Sequence, residues 1–351
     1  MADENKDGKK TRRELLLGAA GAVAAGAAGY SVYRYVANKD QPPAEHRYDL
    51  SPYQGTQGAP ILYREEVTRG IATKLKEPRG IAIGGSGGVY VVGDQIIRLP
   101  YSLYGDQPYE INCPPGAPMC AAESEKTLFL GFKDRIAVLT DLSKWQKPWP
   151  SRGDKARFAA IAVSGDNVFV ADAGNRVVLR YDRAGKLINE IGRKDAAKGC
   201  EGLVVPSPYM PLAVTSDGLL RVSNPGKHRV EAYTFDGRFE LSWGMHGTAI
   251  DKFCGCCNPI ALAMISGGRF VTVEKGITRI KVYDAEGKFQ GVVAGPDQFA
   301  EHDTICAAGT GGCTYGGLSV AAAPDDTLYV LDPCTRQVRV FVPKPAEAKH
   351  G

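Results

Sequence analysis

The chain has 351 residues, 44% hydrophobic and 23% charged, a balance that suits one large or two ordinary globular domains and excludes general disorder. Its formal net charge is +4, of which residues 1–40 supply +2 (seven Lys/Arg against five Asp/Glu), so no basic patch is left to serve a nucleic acid and that class of partner is excluded. Forty-two glycines and 22 prolines, scattered rather than clustered, point to many short turns and an all-β architecture.

The chain opens with a polar, basic stretch, then the pair Arg12-Arg13, then an uncharged run rich in Ala and Gly from Leu15 to Tyr33. That order is the order of an export signal. Thr11-Arg12-Arg13-Glu14-Leu15-Leu16 resembles the twin-arginine motif, whose signals carry weakly hydrophobic cores of this kind. The resemblance implies a protein that crosses the membrane already folded, often because a cofactor is inserted first. It places the protein in the periplasm or on the outer side of the cytoplasmic membrane. Residues 1–37 are read as this signal or as an uncleaved anchor, since the apolar run can just cross a bilayer core of about 30 Å. Residues 38–58 read as a polar linker.

From residue 59 the chain repeats itself about every fifty residues. "NRVVLRYDRAGKLINEIG" from Asn175, "HRVEAYTFDGRFELSWG" from His228 and "TRIKVYDAEGKFQGVVAG" from Thr278 align, each a strand, an acidic turn with glycine, and a second strand. The turn glycines Gly185, Gly237 and Gly287 keep the spacing of propeller blades. A hairpin precedes each segment, as in "AAIAVSGDNVFVAD", "PLAVTSDGLLRVS" and "IALAMISGGRFVTV", so one repeat is four antiparallel strands. Looser copies begin at Arg79, Cys120 and Gly317, which makes six. The last runs out of chain near Val342, and "ILYREEV", Ile61 to Val67, is expected to supply its outer strand and remove the open edge. The repeats resemble the NHL family of six-bladed propellers, and the resemblance implies a ring over residues 59–343 followed by a polar tail, 344–351.

Nine cysteines fall on this frame. With the strands of a blade lettered a to d outward from the channel, b-to-c turns and d-to-a connectors emerge on one face. Cys113, Cys120, Cys200, Cys254, Cys256, Cys257, Cys306 and Cys313 lie in connectors or at the entry of an inner strand, and Cys334 lies in a b-to-c turn, so all nine are expected on that face. The stretch "FCGCCNP", Phe253 to Pro259, becomes a loop at the channel mouth. Three accounts stay open. One is structural disulfides, Cys113 with Cys120 or Cys306 with Cys313 closing short connector loops, with Cys200 and Cys334 as further candidates. Another is a metal centre on Cys254, Cys256, Cys257, Cys306 and Cys313, either an iron-sulfur cluster or thiolate-bound zinc or copper. The last is a redox dithiol of Cys254 and Cys257.

His246 shares a connector with the cysteine loop and His302 precedes Cys306, which makes both candidate cofactor ligands; His46 and His350 lie near the termini. No nucleophile elbow, Walker loop or zincin motif occurs. Asp166, Asp172, Asp217, Glu274 and Asp332 read as solvated or turn-bonding carboxylates, Glu274 and Lys275 as a surface ion pair, and Arg176, Arg229, Arg279 and Arg336 as packing or pairing between blades. The expected function is extracytoplasmic electron transfer through a thiolate-ligated centre rather than stand-alone enzymatic catalysis. The alternative is a non-enzymatic scaffold that binds a protein or small molecule on its cysteine face, with the membrane touched only through the N-terminal segment.

Overall fold

The computed structural model describes Tyr53 and residues 55–85, 87–100, 108–302 and 317–345. The export signal and nearly all of the polar linker fall outside those residues, as do Cys306, Cys313, His46, His350 and most of the tail. Among the described residues no helix is long and apolar enough to cross a membrane.

Six antiparallel sheets make up the ring. In blade one the strands run Gly80–Ile83, Gly88–Val92, Ile96–Pro100 and Tyr109–Ile111; in blade two Cys120–Ser124, Thr127–Gly131, Ile136–Thr140 and Lys144–Trp145. Blade three holds Phe158–Ser164, Asn167–Asp172, Val177–Asp182 and Leu187–Ile191, and blade four Leu212–Val214, Leu220–Asn224, Arg229–Tyr233 and Phe239–Trp243. Blade five holds Ala261–Ile265, Arg269–Val273, Ile280–Tyr283 and Phe289–Ala294. Blade six takes Ser319–Ala322, Leu328–Asp332 and Gln337–Pro343 from the end of the chain and Tyr63–Glu65 from near its start, in the register Arg64 to Val342. The closing strand is thus the expected one, and Ile71–Ala72 pairs farther along the same partner. Inner strands adjoin around a closed circuit, blade six returning to blade one.

Strand alternation decides how the blades stick together, because successive side chains point to opposite faces of a sheet. Each seam between blades carries its own apolar cluster. Val271, Val273, Ile280 and Val282 of blade five meet Val320, Leu328 and Val330 of blade six. On the other flank of blade five, Phe270 and Tyr283 meet Val230 and Trp243 of blade four, with Phe253 of the cysteine loop wedged among them. The recurring turn glycines take the left-handed conformation, φ near +88°, +88° and +82° at Gly185, Gly237 and Gly287. At Gly185 and Gly287 an indole occupies the space a side chain would need, Trp149 and Trp243 respectively. A glycine there satisfies both the turn and the packing against the preceding blade.

Candidate functional site

A repeated device sorts the faces of the ring. The residue that ends strand b or opens the b-to-c turn accepts a backbone N–H from the incoming connector: Asp94 from Glu77 at 3.0 Å, Asp172 from Arg157 at 2.9 Å, Asn224 from Val204 at 2.9 Å, Glu274 from Cys254 at 2.7 Å. Connectors and b-to-c turns therefore share a face, and all seven described cysteines belong to it. Sharing a face does not bring them together. Cys120 points into the seam of blades two and three and Cys113 packs on that of blades one and two, on opposite sides of blade two, so the expected bridge between them does not form. Cys200 is buried between blades three and four, where its thiol donates to the Tyr233 hydroxyl. Among the described residues no two cysteines are joined by a disulfide, and no three His, Cys, Asp or Glu side chains are placed to hold a metal ion. Burial alone raises the Cys120 thiol to about 12 and is the main cause that raises Cys113 to about 11, so neither is a reactive thiolate.

The concentration of sulfur lies in Phe253–Pro259, and the loop is held from every side. Phe253 is fully buried against Trp243 and Tyr283. The Cys254 N–H donates to Glu274, and the Asn258 amide donates to the carbonyls of Cys254 and Lys275 while accepting from the Lys275 N–H. His228 Nε2 lies 2.7 Å from the Gly255 carbonyl, which makes it the donor, and Gly255 takes φ +82°. The connector just upstream of the loop is fixed by cations. Arg279 donates to the Thr248 carbonyl and Lys281 to that of Lys252, and both pair with Glu274 at 2.8 and 2.9 Å. All three charged side chains are fully buried. Tyr283 adds a hydrogen bond to the Asp251 carbonyl.

The sulfurs differ in exposure. Cys254 is half-buried, Cys256 exposed and Cys257 only 1% exposed, and the pair in contact is Cys256 and Cys257, Sγ to Sγ 3.4 Å. The dithiol expected from Cys254 and Cys257 is thus replaced by one of adjacent residues. Burial, and then the Glu274 carboxylate, pushes the Cys254 thiol up, against the pull of Arg279 and Lys281. Cys254 is therefore a protonated thiol at neutral pH, unsuited to nucleophilic attack but able to exchange its proton for a soft cation, the proton passing to solvent. His246 is exposed beside the loop, joined to it by a bridge between His246 and Phe253, and its ring stands edge-on to His228 at 4.6 Å. Burial lowers the His228 pKa, although its bond to the Gly255 carbonyl opposes the shift. His302 ends the short helical turn Pro296–His302, its side chain outside the described residues.

Three expectations about charges are corrected. Asp172, Glu274 and Asp332 bond turns as expected but are buried, not solvated. Glu274 pairs with Arg279 and Lys281 rather than forming a surface pair with Lys275. Arg229 and Arg279 pair within their own blade or its connector, while Arg176 and Arg336 serve left-handed turn positions, φ +58° and +57°. Sequence reasoning also passed over Tyr209, whose hydroxyl accepts from the Gly317 N–H and so ties the connector before blade four to the start of blade six.

No family model matches the chain, and no curated protein matches it. Solved structures do. A gluconolactonase from Xanthomonas campestris is 13% identical with a TM-score of 0.56, over 87% of this chain and 95% of that one. A putative gluconolactonase is 14% identical with a TM-score of 0.54, over 85% and 97%. Virginiamycin B lyase from Staphylococcus aureus, in a catalytically inactive form with quinupristin, is 14% identical with a TM-score of 0.52, over 78% and 82%. At these identities the likeness establishes a shared six-bladed propeller and carries no chemistry with it.

Proposed function

We propose that this chain is an exported NHL-type propeller that transfers electrons outside the cytoplasmic membrane through a thiolate-ligated centre on its connector face. Cys254, Cys256 and Cys257 are the described donors, with Cys306, Cys313, His246 and His302 as the further candidates, and an iron-sulfur cluster is the first centre to test. The observation that carries the reading is the bracing around Phe253–Pro259: Asp94, Asp172 and Asn224 accept a connector N–H as Glu274 does, but here the acceptor is backed by two fully buried cations, Arg279 and Lys281, that also bond the connector's carbonyls. Soft thiolates on a fixed loop suit a metal that prefers sulfur, and the Arg12-Arg13 leader suits a cofactor inserted before export.

Anaerobic purification of the full chain tests the proposal. A charge-transfer band in the visible, with iron and sulfide that vanish in Cys254→Ser, is the expected result. Metal-free, colourless protein overturns it in favour of the scaffold reading, a face that binds a protein or small molecule. The gluconolactonases and the lyase that share the fold supply gluconolactone and quinupristin as the first small molecules to try in that case.

A further inference from the structure

Besides any metal, the loop has the parts of a thiol–disulfide exchanger. We propose that Cys256 and Cys257 form a vicinal dithiol that reduces a disulfide substrate, Cys256 attacking and Cys257 resolving. The two sulfurs already touch at 3.4 Å, so a bond near 2.05 Å needs a movement of only about 1.4 Å, within reach of a rotation at the exposed Cys256. The exposures divide the labour, because only Cys256 can meet a substrate and Cys257, 1% exposed, can meet only Cys256. The bonds at Cys254, Gly255 and Asn258 hold the backbone on both sides of the pair.

The steps balance. The Cys256 thiolate attacks one sulfur of R–S–S–R, a mixed disulfide forms, and the first RS⁻ leaves with the proton Cys256 had lost. Cys257 then loses its proton to the second departing RS⁻ as its sulfur attacks Cys256. Two electrons pass from the dithiol to the substrate, which leaves as two thiols. Adjacent residues hold their Cα atoms about 3.8 Å apart, below the roughly 4.4–6.8 Å of ordinary disulfides, so the Cys256–Cys257 bond is strained and easily reduced again. Such a bond belongs with the catalytic disulfides rather than the structural ones. It also accounts for sulfur on adjacent residues, which a single metal ion does not require.

The inference competes with the metal reading for the same two sulfurs, and one sample separates them. The full chain, with its iron and sulfide content recorded, is treated with oxidised glutathione and mapped by peptide mass spectrometry. The wild type should end with Cys256 joined to Cys257 and no glutathione retained. Cys257→Ala, apolar at a buried site, should hold glutathione on Cys256, and Cys256→Ser should take up glutathione in this loop at about a tenth of that rate or less. Glutathione persisting on wild-type Cys256, or Cys254 proving to be the resolving sulfur, overturns the proposal whatever the metal content. If Cys257→Ala fails to fold, the wild-type time course decides, since a transient mixed disulfide on Cys256 must precede the closed pair.

Discussion

Blade five has two flanks of opposite character. Toward blade six it offers Val271, Val273, Ile280 and Val282 to other aliphatic side chains. Toward blade four the alternate positions of the same strands are Phe270, Thr272, Lys281 and Tyr283, and that seam also buries Trp243 and Phe253. Two buried polar atoms on this flank, Thr272 Oγ1 and Trp243 Nε1, have no protein partner. The side chains of the aliphatic seam hold by area removed from water, and polar contacts between the two blades stay at its rim, where Ser266 and Arg269 meet Asp326. The other seam gives up some of that area to carry charge to the loop, which shows that an adhesive surface has been turned into a support for seven residues of connector.

The sharpest way to break this contrast is Glu274→Gln. It leaves Arg279 and Lys281 buried with no carboxylate, and should cost about 3–5 kcal/mol in denaturant unfolding. Asp172→Asn, at the equivalent turn of blade three, removes a carboxylate bonded to neutral donors only and should cost about 1 kcal/mol. Equal losses would show that the charges around the cysteine loop have no special part.

Titration of Lys281 comes next. Burial pushes this lysine down to about 8, Glu274 opposing the shift and Arg279 adding to it. The unfolded chain binds that proton more tightly than the folded one. The penalty is therefore present in full below about pH 8 and is released as pH rises toward the ordinary value of 10.5. Between those limits the wild type should gain roughly 3 kcal/mol relative to Lys281→Met, read as the difference in their unfolding free energies. A difference independent of pH would sink the assignment of a buried ammonium.

The smallest effect is a reciprocal exchange across strand b. Thr272→Val replaces a buried, unpartnered hydroxyl with a methyl and should stabilise by about 1 kcal/mol, whereas Val271→Thr on the aliphatic flank should destabilise by about 1–3 kcal/mol. Melting temperatures moving in the same direction would mean that the two flanks are alike.

The ring was legible because its constraints are local and repeated. Gly185, Gly237 and Gly287 are required by one left-handed turn, and inner strands such as Gly88–Val92 and Leu328–Asp332 are buried on both faces, so they read as short apolar runs between turns. The antiparallel order of the strands sorted the cysteines to one face. It says nothing about distance around the ring, which is why Cys113 and Cys120 looked like partners and lie on opposite sides of a blade. The clamp was illegible for another reason. A lysine in "IKVY" carries no local sign that the carbonyl of Lys252, in a connector, will sit 2.6 Å from its ammonium. Only the fold as a whole supplies that partner, and it is what turns Glu274 from a surface acid into a buried one.

The strand Tyr63–Glu65 has one more consequence. Its contacts lie at the far end of the polypeptide, Glu65 meeting Arg339 across 274 positions. During vectorial synthesis that edge waits for its partner until Gln337–Pro343 has left the ribosome, and closure is a topologically distant event. Whatever shields the nascent edge meanwhile, a chaperone included, guards the step on which the whole circle depends.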